Sequence, residues 1–76
     1  MEELQGTVTQ VVYRSEETGY SVFRLQFDKK NFVYTITAVG TFFRLDKNEF
    51  IKLWGEFKEN KKYGRQFAVD HCESSF

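Results

Sequence analysis

Residues 49–69 alternate apolar and polar side chains on both sides of one charged tip, and such a pattern commits the chain to a β-hairpin. Ile51, Leu53, Gly55 and Phe57 fall on one face, with Lys52, Trp54, Glu56 and Lys58 on the other. A period of two is the mark of a half-buried antiparallel strand. Glu59-Asn60-Lys61-Lys62 forms a polar tip. Tyr63-Gly64-Arg65-Gln66-Phe67 opens the return strand, in which Phe67 and Val69 resume the alternation. Gly64 is expected at a bulge or a close backbone approach just past the turn. The pair reads as the closing edge of a small barrel.

A chain of 76 residues is one domain. Such a chain buries only about 60% of its unfolded surface, so its core needs large side chains. Nine Phe, four Tyr and one Trp supply them. Eleven basic and eleven acidic residues cancel, which argues against strong nonspecific nucleic-acid binding, because that binding comes mainly from phosphate neutralisation. A local basic stripe is still compatible with zero net charge. The lone Cys72 allows no internal disulfide and no cysteine zinc site, and suits a reducing, cytoplasmic setting. No apolar run approaches the roughly 20 residues of a membrane span, and the acidic start, MEELQG, has no signal-peptide core.

Taken in order, Leu4 to Arg14 is the first strand. Leu4, Val8 and Val12 are expected on one face and Gln5, Thr7, Thr9, Val11 and Tyr13 on the other, with a bend at Gly6. Ser15 to Gly19 is a polar reversal. The second strand, Tyr20 to Asp28, sets Phe23, Leu25 and Phe27 against Tyr20, Val22, Arg24 and Gln26. Asp28 to Asn31 turns the chain into a third strand, Phe32 to Val39, with Ile36 and Ala38 inward. Thr41-Phe42-Phe43-Arg44-Leu45 is expected to form one helical turn with Thr41 as N-cap, stable only if packed. Asp46 to Asn48 leads into the Glu49 strand. The tail, Cys72 to Phe76, has no pattern and ends as a piece cut from a longer protein would. Five strands with one helical turn between the third and fourth predict an all-β, five-stranded OB-fold-like Greek-key barrel. An SH3-like barrel is the alternative. The long first strand and the place of the turn favour the OB arrangement.

Three sets of residues are candidates for binding nucleic acid. Trp54, on the polar face of its strand, is a stacking platform or a Trp half-covered by a loop. Tyr20, Arg24 and Tyr34, on the second and third strands, suit a single strand through stacking and phosphate pairing, or they are ordinary cross-strand packing. Lys58, Lys61, Lys62 and Arg65 form the densest basic cluster, which steers DNA or keeps a hairpin tip soluble. Glu16 and Glu17 in the first loop repel phosphate. His71 and Cys72 are neighbours that point to opposite faces of a strand and so do not chelate one ion. No nucleophile–base spacing is present, and no catalytic residue or metal site is expected.

Taken together, Leu4-Gln5-Gly6-Thr7-Val8, Tyr13-Arg14-Ser15-Glu16-Glu17-Thr18-Gly19-Tyr20-Ser21-Val22, Val39-Gly40, Leu53-Trp54-Gly55-Glu56-Phe57 and Lys62-Tyr63-Gly64-Arg65-Gln66-Phe67 resemble the N-terminal domain of RecD/TraA-type DNA helicases, the RecD-like proteins of bacteria without an obvious RecBC partner. The likeness covers nearly the whole chain. It departs from the family in two loops: the His-Pro common before Lys-Tyr-Gly is missing, and 41–48 lacks the usual Pro-Gly. The resemblance implies an ATP-driven helicase moving 5′ to 3′ on single-stranded DNA, with this piece as an accessory domain ahead of the motor. ATP and Mg²⁺ would belong to that motor, since no Gly-x-x-x-x-Gly-Lys-Ser/Thr loop occurs here; no cofactor is expected for the piece itself. Two functions remain open: weak guidance of single-stranded DNA, or docking to other domains of the same helicase or to another protein.

Overall fold

The first strand is long enough to serve two partners. In the computed structural model, which describes residues 1–74, β1 (Glu2–Arg14) pairs antiparallel with β4 (Phe50–Asn60) from Glu2–Gly55 to Thr7–Phe50, and with β2 (Tyr20–Lys29) from Thr7–Gln26 to Arg14–Ser21. β3 (Phe32–Thr41) continues from β2 as a hairpin, and β5 (Gly64–Ser74) returns along β4. The cylinder closes where β5 meets β3 in parallel through Ala38–Phe67 and Val39–Ala68, giving the order β1-β2-β3-β5-β4. A sequential meander, the SH3-like alternative, would have put β4 beside β3. This is the OB arrangement.

Inside lie Val8, Phe23, Leu25, Ala38, Ile51, Leu53 and Phe67, with Leu4, Val11, Phe27, Ile36, Phe57 and Val69 partly buried around them. The alternation of the second, third and fourth strands is as expected. β1 differs. Register shifts leave Thr9 and Val12 without cross-strand partners, so each adds one residue and reverses the phase. Val11 therefore packs against the core, while Val12 and Tyr13 stay exposed. Gly6 lies next to Thr7, where β1 passes from β4 to β2. A Cβ at Gly6 would overlap the Gln26 carbonyl oxygen.

The expected helical turn at Thr41 to Leu45 does not form. Residues 42–49 run as an irregular strap that plugs one end of the barrel with Phe42 and Leu45, both buried, Phe42 meeting Phe23 edge-to-face at 5.2 Å. Arg14 ties the strap to the barrel. Its guanidinium donates to the carbonyl oxygens of Phe42 (3.0 Å) and Phe43 (2.9 Å), and to the Ser21 hydroxyl (2.8 Å). The Phe42 amide donates to the Gly19 carbonyl at 3.0 Å. Partners from β1 and the 15–19 loop thus satisfy the Phe42 amide and the Phe42 and Phe43 carbonyls, groups that a single turn over 41–45 would itself leave without intrahelical partners.

The tail also differs. Cys72, Glu73 and Ser74 complete β5 opposite Leu53, Lys52 and Ile51. Ladder bonds hold them, and because their side chains are exposed no hydrophobic pattern announces the strand. Ser75 and Phe76 lie outside the described residues.

Candidate nucleic-acid interface

The β4–β5 hairpin turns later than its sequence pattern suggests. Asn60 still pairs with Gly64. The Asn60 side-chain oxygen accepts from the amides of Lys62 (2.9 Å) and Tyr63 (3.0 Å), as a turn-forming Asn does. Gly64 adopts φ 81° with open space at its Cβ position, so it is there for the left-handed backbone and not for a close approach. Tyr63 is consequently part of the tip and not the start of the return strand. Lys62 lies over its ring, 5.3 Å from the centroid.

That tip forms one wall of a groove of about 490 Å³. The opposite wall and floor are Tyr13 and Val12 of β1, Tyr20, Val22 and Arg24 of β2 and Thr37 of β3, with Asn60, Tyr63 and Gln66 on the hairpin side. Tyr13, Tyr20 and Tyr63 are all more than 40% exposed, an unusual outlay of aromatic surface unless a flat partner covers it. Arg24 supplies a fixed positive charge among them.

Of the residues singled out from the sequence, Tyr20 and Arg24 share this groove, and Lys62 borders it through Tyr63. Tyr34 does not join them. It pairs with Phe27, on the inward-facing set, and stacks on it at 5.6 Å near the opposite barrel mouth. Trp54 is placed elsewhere again, on the outer face of β4. Its indole donates to Glu3 (3.1 Å), its ring packs on His71 at 4.9 Å, and Lys52 sits 5.6 Å from it. These neighbours, rather than the 41–45 segment, cover it. The basic cluster is dispersed as well. Lys58 lies with Glu56 and Asp70, Lys61 is at the exposed tip, and Arg65 lies over Phe57 at 4.4 Å.

Tyr13 and Tyr63 are the groove tyrosines that the sequence reading did not single out. The outward parity of Tyr13 was a usable signal. Nothing comparable marked Tyr63, whose position follows from the Asn60 turn.

At the far end, the Cys72 thiol sits near the strap with Phe42, Phe43 and Glu49. Although Cys72 is exposed, partial desolvation beside the strap, and secondarily the charge of Glu49, raise its pKa. At about pH 8, below the ordinary thiol value of about 8.5, the thiolate fraction is therefore smaller than that of a free cysteine. Iodoacetamide should alkylate Cys72 more slowly than it alkylates a cysteine peptide, and Glu49→Gln should speed the reaction. Equal rates for the protein and the peptide would contradict this account.

A closed five-stranded barrel in this order, with a groove lined by Tyr13, Tyr20 and Tyr63 beside the β4–β5 hairpin, defines a domain of the OB-fold class. The chain belongs to the family of the OB-fold domain of the ATP-dependent DNA helicase YrrC, whose family model matches residues 1–76. Among curated proteins and among solved structures, none matches the chain significantly.

Proposed function

We propose that this domain guides single-stranded DNA for an ATP-dependent helicase of the RecD-like kind, one that travels 5′ to 3′, with the strand lying in the Tyr13–Tyr20–Tyr63 groove. The observation that carries the reading is the groove itself: three exposed tyrosines around one arginine, on the face formed by the barrel and its β4–β5 hairpin. Bases stack on the tyrosines whatever their identity, Arg24 pairs with a phosphate, and Lys62 adds positive charge behind Tyr63. ATP hydrolysis, with its Mg²⁺, belongs to a motor outside these residues, and the setting is cytoplasmic. Zero net charge makes the contact weak, and the few phosphate contacts it does make are salt-sensitive, which fits guidance rather than anchoring.

Trp54 is not among the residues lining the groove, so the binding measurement uses anisotropy of a labelled oligonucleotide in place of intrinsic fluorescence. Each stacking tyrosine is worth about 1–3 kcal/mol, so Tyr20→Ala and Tyr63→Ala should each weaken binding by at least about fivefold. Arg24→Ala should weaken it and flatten the salt dependence. A second reading, docking to another domain of the helicase, draws on Phe43, which is fully exposed on the strap. No anisotropy change at low salt, together with binding to the remainder of the helicase that depends on Phe43, would replace the DNA reading with docking.

A further inference from the structure

The two ends of the barrel are finished differently. The strap closes one end, whereas at the other an apolar floor of Leu4, Phe27, Ile36 and Phe57 borders an open mouth of about 710 Å³. That volume lies within the range of about 300–1,000 Å³ typical of ligand sites. Three cations, Lys29, Lys30 and Arg65, line the mouth against a single carboxylate, Glu2. Over the whole chain acids and bases are equal, so this excess is local. Its flat surfaces are already arranged. Tyr34 stacks on Phe27 within 24° of parallel, and the Arg65 guanidinium lies 4.4 Å from the centroid of the Phe57 ring. Thr37 lines both the mouth and the groove, so the two adjoin at β3.

We propose that the mouth is a second nucleotide subsite, in which a single strand leaving the groove passes Thr37 and places an unstacked base against Tyr34 and Arg65. Lys29 and Lys30 then hold its phosphates. This rests on the DNA reading of the groove and extends it. The occupant is a polyanion with planar groups, because cations beside aromatic faces match phosphate and base together. An apolar peptide would use the floor and leave the three cations without a role.

Lys30 and Asn31 have φ of 50° and 69°, the two-residue turn of a tight hairpin. The charge is therefore best removed with Lys29→Gln/Lys30→Asn, since Asn tolerates the left-handed backbone. The test compares oligothymidylates of about four and about twelve nucleotides, lengths within the range of OB site sizes. A single-strand phosphate contact contributes about 0.7 to the salt slope, or about fivefold in affinity at ~0.1 M salt, so the double variant should bind the longer strand about twentyfold more weakly and lose about 1.4 from the slope. Its affinity for the short strand should not change. Arg65→Lys, which keeps the charge and loses the plane, should also weaken only the longer complex. If the groove variants weaken both lengths while the mouth variants weaken neither, the subsite is wrong and the groove reading stands. If the mouth variants act and Tyr20→Ala and Tyr63→Ala do not, the groove reading is wrong instead. Loss of binding to the remainder of the helicase, with both DNA affinities intact, would overturn the subsite in favour of a protein contact.

Discussion

Phe67→Ala is expected to bring the domain to the edge of unfolding. Phe67 is 0% exposed and stands at the closure of the cylinder, paired with Ala38 of β3 on one side and Phe57 of β4 on the other. Its ring meets that of Phe57 edge-to-face at 5.0 Å. Truncating a buried Phe costs about 3–5 kcal/mol, the lost transfer energy plus the cavity left behind. A chain of 76 residues has about 4–11 kcal/mol in total. From about a quarter to all of its stability is therefore at stake. The β3–β5 contact has only two cross-strand pairs, so few ladder bonds remain to hold the seam once the ring is gone. Phe67→Leu, which keeps most of the apolar volume, should cost about 1–2 kcal/mol. Urea unfolding of the three proteins checks the order. A Phe67→Ala loss within about 0.5 kcal/mol, the scale of a surface change, would mean that the barrel does not close there.

Arg14→Ala is expected to release the strap. The guanidinium bridges three parts of the chain: the 15–19 loop through Gly19, β2 through Ser21, and the strap through Phe42 and Phe43. Ser21 is itself 0% exposed, and its hydroxyl passes the network on by donating to the Gly19 carbonyl at 3.0 Å. Hydrogen bonds from a charged donor are worth about 1.5–3 kcal/mol, and those who lose their partner in a buried place carry a desolvation penalty. Because part of this network is exposed, about 2–3 kcal/mol is the expected loss, or roughly 10–20 °C in melting temperature for a domain of this size. Arg14→Lys should recover little, since an ammonium cannot span these acceptors as a planar fork does. Two local readouts separate strap release from general weakening. The Phe42 amide, bonded to Gly19, should exchange faster with deuterium, and Cys72 beside the strap should alkylate faster. If Arg14→Lys melts with the wild type, a positive charge alone suffices and the fork geometry is irrelevant.

These two residues stand at opposite ends of what the sequence makes legible. Phe67 announces itself through alternation: Phe57, Phe67 and Val69 sit at period two around a polar tip, and burial of alternate side chains is a local property of a strand. The same logic located Phe23, Leu25, Ala38, Ile51 and Leu53 in the core. Arg14 reads as a polar residue at a strand end, and nothing local reveals that carbonyl groups some thirty positions away will converge on it. Had that been visible, residues 42–43 would have been expected as a strap tied to β1, because Arg14 holds their carbonyl oxygens from outside.

The candidate interface divides in the same way. Tyr20 and Arg24 share a face by parity alone, and the structure keeps them together. Tyr34 was assigned beside them, but the β2–β3 register sets it opposite Phe27. Tyr63 and Tyr13 reach the groove through a turn held by Asn60 and through bulges in β1. Short-range alternation thus determined the five strands, the inward faces of four of them and the small-barrel class, since periodicity and turn chemistry depend only on neighbours in the chain. Register, bulge positions, the strap and the meeting of distant aromatics were decided by the tertiary structure, because they depend on which backbone groups pair after the barrel closes, and no side-chain pattern records that choice.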